Sequence, residues 1–463
     1  MQQRKKDTGI IIFYLGLIIS MGLVISGALN EDRNALDLQL IGFSVFVLFA
    51  AASIRFNLHH PFFWFNGIFW LYSIASPILY LIGFQAGSSA PDITSHIHAV
   101  FIEYAAVVVF SVAVGVKKVV YKNISLHNLE TLANGSIPFM FISFFISLIM
   151  IFMFYRLGIT DKIQKYDTGS YATNISFVFT FILVGFCFYY LRNLHRYGKQ
   201  PYKILCLLVI YFFIAYLVIG ERGIFFRMIV VITLLYTTTQ KNINKSIIVA
   251  FLVTGIVLST LMGYTKNLLV KPDISSFLSS TQLINIETPR DILYILLGSE
   301  FRSASDNMAS LVSMVPESIP FFLGRSTWWE IKSSMRIGVL ADRESAMSSA
   351  VWFAQTFYPG GWDKGKGYGF ALVGQGYLDF GLIGVILLFL ILGLIIGFIY
   401  RQSCKNVLYF VFYINLVPIV MYSVRQSIAP IISQSLKHIV LPMFLMFCMG
   451  TIISVASKSR EVK

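Results

Sequence analysis

The stretch DFGLIGVILLFLILGLIIGFIY, residues 379–400, decides the fold of this chain. Apart from Asp379 at its start, this stretch contains no charged residue. As a helix it is long enough to cross the roughly 30 Å hydrocarbon core of a bilayer. The whole chain has the same character, since 57% of its 463 residues are hydrophobic and 13% are charged. A soluble domain has about twice that charged fraction. We therefore expect an integral membrane protein.

Further apolar segments of comparable length predict an all-α polytopic fold with about twelve transmembrane helices. The twelve predicted spans are residues 10–28, 39–54, 62–84, 98–116, 136–155, 175–191, 204–220, 224–239, 246–264, 379–400, 406–423 and 438–456. The first nine form a membrane region at residues 1–264, and the last three form a second one at residues 379–463.

The basic residues predict how these helices are oriented, because short loops rich in Lys and Arg stay in the cytoplasm. The chain has 36 Lys and Arg and 22 Asp and Glu, which gives a net charge of +14. With the N-terminus inside, the cytoplasmic segments hold 18 basic and three acidic residues and account for the whole excess. Both termini are then cytoplasmic. Since the chain has no basic face interleaved with aromatic residues, nucleic-acid binding is excluded.

Residues 265–378 separate the two membrane regions and form one large extracytoplasmic loop in this topology. Ten basic residues balance ten acidic ones there. Prolines divide the loop into short helix-like runs such as 290–297 and 344–357. Because tryptophan and phenylalanine are frequent in it, we expect short amphipathic helices that lie on the membrane surface.

The sequence Gly220-Glu221-Arg222-Gly223 interrupts an apolar run and predicts a tight outer turn. Backbone N–H groups at the start of the following helix would form a phosphate site with Arg222 and with Arg227, about a turn further along. In the alternative interpretation, Arg222 pairs with Glu221 and simply ends two helices.

The loop repeats a pattern of arginine beside carboxylate. The planar fork of arginine suits phosphate, and a carboxylate can act as a base or hold that fork in place. Ordinary surface ion pairs have the same pattern. The arginines are Arg302, Arg325 and Arg343, and the carboxylates are Glu300, Asp306 and Glu344.

Two further groups lie at or inside predicted spans. Arg425 follows the eleventh span, where it is either functional or an anchor at the lipid headgroups. Glu103 falls inside the fourth span behind His96 and His98, which makes it a functional candidate. The spacing of these two histidines is unlike that of a helical pair of metal ligands, so we expect a satisfied polar cluster and no metal site.

Four motifs and the topology resemble the bacterial oligosaccharide repeat-unit polymerases of the Wzy, or O-antigen polymerase, type. The motifs are the G-x-R-G turn at residues 220–223, VPESIPFFLGRSTWW at 315–329, YGFALVGQGYLDFGLIG at 368–384 and SVRQS at 423–427. The topology covers nearly the whole chain, whereas the motifs cover only short parts of it.

The resemblance implies a glycosyltransferase on the outer face of the bacterial inner (plasma) membrane. Such an enzyme transfers a growing glycan from undecaprenyl pyrophosphate to a lipid-linked oligosaccharide repeat unit, with no metal or other cofactor. A chain-length regulator is a further partner. By this resemblance Arg222 and Arg425 bind the pyrophosphate, with Arg227, Arg302, Arg325 and Arg343 as further candidates. The base stays open among Glu300, Asp306 and Glu344.

Two other functions fit a chain of this kind. An O-antigen ligase uses the same donor and a similar outer loop but a different acceptor. A lipid-linked oligosaccharide flippase or other transporter also has about twelve spans, but it usually carries charged groups along a central path. Glu103 is nearly alone within the predicted spans, and a flippase does not need a large outer loop. The sequence therefore favours the polymerase.

Overall fold

The computed structural model describes residues 2–84, 91–117, 121, 129–156, 171–219, 222–239, 288–298, 301–334, 347–362 and 369–461. The described residues form helices joined by turns, with no β-strand among them. The all-α class predicted from the apolar segments is confirmed.

The helices before the predicted loop are α1 (Gln2–Ala28), α2 (Arg33–Ser53), α3 (Pro61–Leu81), α4 (Ile93–Val114), α5 (Leu129–Arg156), α6 (Tyr171–Tyr197), α7 (Tyr202–Ile219) and α8 (Arg222–Thr239). Five short helices follow: α9 (Pro289–Gly298), α10 (Arg302–Met314), α11 (Arg325–Ser334), α12 (Ser349–Phe357) and α13 (Pro359–Trp362). The last helices are α14 (Leu372–Ser403), α15 (Val407–Ser423), α16 (Ile428–Gln434), which continues as a π-helix at Ser435–Val440, and α17 (Leu441–Glu461).

Among the described helices, eight are long and apolar enough to cross a membrane. They are Thr8–Ala28, Arg33–Ser53, Pro61–Leu81, Ile93–Val114, Leu129–Met153, Val178–Tyr197, Leu372–Ser403 and Ile428–Ser457. Three shorter apolar helices, Tyr202–Ala215, Gly223–Thr239 and Val407–Ser423, lie at further predicted spans. The predicted span at 246–264 lies outside the described residues.

The helix predicted at 379–400 begins earlier, at Leu372, and it is broken. Phe380 and Gly381 leave helical geometry, and Gly381 has a φ of 59°, which glycine adopts without strain. Residues 372–379 therefore form a separate helical piece ahead of the long apolar one. Hydrophobicity alone does not reveal this piece, because it contains the buried polar residue Gln375.

Aromatic packing holds α3 and α4 together and joins them to the C-terminal helices. The rings of Phe65 and Phe110 stack with centroids 3.8 Å apart, and Phe389 of α14 lies beside Phe65. Trp64 donates a hydrogen bond from Nε1 to the hydroxyl of Tyr413 in α15, at 3.0 Å. These contacts make α3, α4, α14 and α15 one packed unit.

Helices α9 to α11 pack on one end of this unit. α10 contacts α3, α4 and α14, and α11 contacts α14 and α16. This is the end where α4, α14 and α16 begin and where α15 finishes. The side chains of Met308, Ala309 and Leu311 in α10 are fully buried. The sequence predicts helices that lie on the membrane surface, and α10 is packed against helices α3, α4 and α14.

Asp379, at the break in α14, fixes the position of α11. Its Oδ1 accepts a hydrogen bond from the backbone N–H of Ser326 at 2.9 Å, and its Oδ2 accepts those of the N–H and hydroxyl of Thr327 at 2.9 and 2.6 Å. The N–H groups of a first helical turn have no partner within their own helix, and a negative charge there is favourable. Asp379 thus caps α11 from another helix.

Close packing between α5 and α17 depends on glycine. A Cβ added at Gly450 would overlap the backbone oxygen of Thr131, and one added at Gly135 would overlap that of Met446. Small residues let membrane helices approach closely enough for such backbone contact. The two helices therefore cross at this pair of glycines.

We expect Gly450→Val to destabilise the folded protein by roughly 1–3 kcal/mol, because the added side chain must push α5 and α17 apart. Thermal unfolding of the detergent-solubilised protein would measure this. Gly22→Val is the matched control, since a Cβ at Gly22 meets nothing within 4 Å. Equal unfolding temperatures for the two variants would contradict the close crossing.

We expect Asp379→Ala to loosen α11 at a cost of about 1–3 kcal/mol, because the buried N–H of Ser326 and the partly buried N–H of Thr327 lose their acceptor. Limited proteolysis should then cleave near residues 325–334 faster than in the wild type. Ser313→Ala, at an exposed serine of α10, provides the control. Unchanged cleavage in the Asp379 variant would show that the cap does not hold this helix.

Candidate functional site

The structure describes part of the predicted site. Arg227, Arg302, Asp306, Arg325 and Arg425 are described with their side chains. The predicted candidates Glu300, Arg343 and Glu344 lie outside the described residues, as does the side chain of Arg222.

Arg302 and Asp306 form an ion pair within α10. Arg302 donates from Nε to Oδ2 of Asp306 at 2.7 Å, and the two side chains are 14% and 19% exposed. Residues four apart lie on one face of a helix, so the helical geometry itself brings the pair together. In the described part of the chain, neither terminal nitrogen of Arg302 has a hydrogen-bond partner. The two groups that can grip a phosphate are thus not used within this pair.

The surrounding helices hold Asp306 in place. The hydroxyl of Ser76 in α3 donates to Oδ1 of Asp306, and the N–H of Ser76 donates to the hydroxyl of Ser305 at 3.0 Å. Because both carboxylate oxygens already accept hydrogen bonds, the carboxylate is positioned to orient Arg302. The sequence leaves two roles open for this carboxylate: it can act as the base, or it can hold the arginine in place. The geometry favours the second role.

His96 lies beside this ion pair. It is buried in the first turn of α4, and its ring is 5.1 Å from that of Tyr80. The charges of Asp306, Asp92 and Arg302 act on it. Hydrogen bonds from Ser95 lower the pKa of Asp92, which caps α4. This end of α4 therefore combines one arginine, two carboxylates and one histidine.

Arg325 stands apart from the Arg302–Asp306 pair. It is exposed at the start of α11, where its guanidinium lies 4.9 Å from the ring of Trp329 and 6.0 Å from that of Phe322. Stacking of this kind holds an arginine in place without neutralising its charge. At Arg325, the structure therefore shows aromatic contacts where the sequence pattern predicts a neighbouring carboxylate.

Arg425 follows the end of α15, which is Ser423. Its guanidinium is 5.0 Å from the ring of Tyr422. Its backbone oxygen accepts a hydrogen bond from the N–H of Phe370 at 3.0 Å, and Leu372 donates likewise to Val424 at 3.0 Å. These bonds join the predicted motifs at residues 368–384 and 423–427, so the two lie side by side in the fold.

Arg227 contacts the segment that follows Arg425. It donates from Nη1 to Nδ1 of His438 at 3.0 Å and from Nη2 to Oε1 of Gln434. α8 begins at Arg222, and Gly220 and Glu221 of the predicted turn lie outside the described residues. Ser427 and Gln434 are separated by about 10 Å along a helix, so α16 connects the Arg425 loop to Arg227.

Three buried polar residues to which the sequence analysis assigned no role connect these parts: Glu330, Gln375 and Asp379. Glu330 accepts hydrogen bonds from the N–H of Ser349 and the hydroxyl of Ser427, both at 2.6 Å. Gln375 accepts one from the N–H of Ile428 at 2.9 Å. They tie α11, α12, α14 and α16 together. The available signal was a polar residue immediately ahead of a long apolar run.

Glu103 differs from the satisfied polar cluster that the sequence predicts. Ser73 provides one hydrogen bond, but Oε2 of Glu103 and Nδ1 of His96 are buried without a hydrogen-bond partner among the described residues. The prediction is therefore wrong for these two atoms. α4 places both residues on its α3 side because they are seven positions, or about two turns, apart.

Taken together, this end of the bundle can bind an anion rather than a cation. It presents arginines from α8, α10, α11 and the loop after α15. Preorganised guanidinium groups stabilise negative charge that develops during a reaction. The described contacts pair Arg302 with Asp306. Arg227, Arg325 and Arg425 each contact other residues.

Comparison with known families gives the context for this site. The family model described as O-antigen polysaccharide polymerase Wzy matches residues 10–458. No match was found among characterised proteins or among solved structures. The matched range reaches into every described helix from α1 to α17 and includes all the arginines named above. Because the match covers nearly the whole chain, this protein belongs to the O-antigen polysaccharide polymerase Wzy family.

Proposed function

We propose that this protein transfers a growing glycan from undecaprenyl pyrophosphate to the non-reducing end of a lipid-linked repeat unit. Membership in the Wzy family makes it a membrane glycosyltransferase that polymerises lipid-linked oligosaccharide units. The observation that carries the finer proposal is the partly buried Arg302, held by Asp306 where the helices of the bundle end.

The proposed role of Arg302 follows from the charge of the leaving group. As the sugar–phosphate bond breaks, the pyrophosphate gains negative charge. A guanidinium that is already oriented stabilises this charge without reorganising during the reaction. Asp306 and Ser76 provide the orientation, so Asp306 is a positioning residue in this proposal. Arginines can supply this stabilisation themselves, so the proposed reaction uses neither a metal ion nor another cofactor.

The other predicted residues extend this site in the proposal. Arg222, Arg227, Arg325, Arg343 and Arg425 are further contacts for the pyrophosphates of the two lipid-linked substrates. Glu300 and Glu344 are the candidates for the base that takes the proton from the acceptor hydroxyl.

We place this reaction on the outer face of the bacterial inner membrane, with both termini in the cytoplasm. The distribution of basic residues supports this orientation. Residues 265–378 form the outer loop of the proposed arrangement, between membrane regions at 1–264 and 379–463. A chain-length regulator is the partner that we expect beside the two substrates.

We expect Arg302→Ala to lower kcat by about 100-fold, because removing one preorganised donor from a developing charge costs that much. Asp306→Asn should have a smaller effect, about tenfold, since it disturbs only the orientation of the arginine. Polymer formation from lipid-linked repeat units would be the assay. Arg196→Ala is the matched control, because Arg196 is an exposed arginine that pairs with Glu130. Equal rates for the Arg302 and Arg196 variants would contradict the assignment.

We expect the purified protein in lipid vesicles to convert undecaprenyl-pyrophosphate-linked repeat units into a ladder of multimers, with chelator present. Gel separation of the glycans and detection of free undecaprenyl pyrophosphate would measure this. A ligase would leave the units single until a different acceptor is added. A flippase would move them across the bilayer without joining them. Either result would reject the polymerase proposal.

A further inference from the structure

A line of buried polar residues follows the interface between α3 and α4. α3 contributes Asn66, Ser73 and Ser76, and α4 contributes His96, Glu103 and Ser111. At 1.5 Å per residue, His96 and Ser111 are about 22 Å apart along α4. We call these six residues the polar file. It extends along most of a helix that is otherwise apolar and long enough to cross a membrane.

Residues of the polar file face each other across the interface. Asn66 donates from Nδ2 to the hydroxyl of Ser111 at 2.9 Å. Glu103 shares a hydrogen bond with Ser73. These pairs show that the polar groups of the two helices meet at the interface rather than facing lipid.

Three polar atoms of the file are unsatisfied within the described part of the chain. Nδ1 of His96, Oε2 of Glu103 and Oδ1 of Asn66 are buried and have no hydrogen-bond partner among the described residues. An isolated buried polar atom of this kind costs free energy, and in proteins it is usually satisfied by an internal water. The three atoms lie at three successive levels of one interface. They mark three separate positions, about 10 to 12 Å apart along α4, where an internal water can bind.

The polar file ends at the proposed active site. The hydroxyl of Ser76 binds Asp306 directly, and the charges of Asp306 and Arg302 in α10 act on His96. Tyr80 from α3 and Asp92 at the start of α4 are the other titratable groups near His96. Among the described residues, no ion pair engages Glu103 deeper in the file. An ionisable side chain inside a membrane helix is a functional candidate, and proton relays are a common use of it.

We propose that the polar file is a hydrated path that removes the proton released by glycosyl transfer. This inference rests on the function proposed above. When the acceptor hydroxyl attacks the sugar, its O–H bond breaks as the new C–O bond forms. The bond from the sugar to pyrophosphate breaks at the same time, and its electron pair leaves with the phosphate. The base takes this proton first and passes it through water to Nδ1 of His96, and Glu103 relays it by exchange with water.

Glu103→Gln tests the relay, because glutamine keeps the size and the hydrogen bond to Ser73 but cannot take up and release the proton. We expect kcat to fall about tenfold or more and the solvent isotope effect on kcat to rise, with KM nearly unchanged. Ser53→Ala is the control, since Ser53 is a buried serine of α2 that bonds only within its own helix. Wild-type kcat and isotope effect in both Glu103→Gln and Glu103→Leu would overturn the proposal.

A second measurement does not depend on activity. Infrared spectroscopy of the resting protein should show a carboxyl band of Glu103 that is absent from Glu103→Gln and shifts when H₂O is replaced by D₂O. A carboxylate band that is insensitive to D₂O, or a carboxyl band that does not exchange, would overturn the hydrated path. Lack of polymer formation by the wild type would instead reject the proposed function, and exchange of the band would still support hydration of the file.

Discussion

The buried carboxylate of Asp379 is the interaction on which the arrangement of this site depends. α14 breaks at Phe380 and Gly381, and the break leaves Asp379 at the head of a long apolar helix, where it caps α11. Burying a charge is unfavourable unless several hydrogen bonds satisfy it. The backbone and hydroxyl donors of α11 meet this condition. A helix of the loop is thereby attached to a helix of the bundle.

The arginines of the site have different supports. Asp306 holds Arg302 through an ion pair, Trp329 holds Arg325 through stacking, and the segment around Gln434 holds Arg227. Each support limits the movement of a long side chain before any substrate binds. Preorganisation of this kind is what the stabilisation of a leaving pyrophosphate requires. The proposed chemistry therefore depends on the residues that hold these arginines in place.

The polar file also affects the packing of this helix bundle. Its ionisable and amide groups interrupt the apolar packing between α3 and α4, where Phe65 and Phe110 otherwise stack closely. Such groups destabilise a membrane helix pair unless they have partners. In the proposed relay, the alignment of the polar file with the Arg302–Asp306 pair is the functional reason for this loss of stability. Glu103, which is nearly isolated in the sequence, is one member of a line in the fold.

Sequence alone determined the all-α class and the positions of most apolar helices, because about 20 apolar residues in a row identify a membrane helix wherever they occur. It also indicated Arg302 and Asp306 as members of the arginine–carboxylate pattern, and their spacing of four positions on α10 brings them into contact. Only the tertiary structure decided the roles of Glu330, Gln375 and Asp379, and the broken start of α14. These depend on hydrogen bonds between residues 19 to 97 positions apart, which no local pattern specifies.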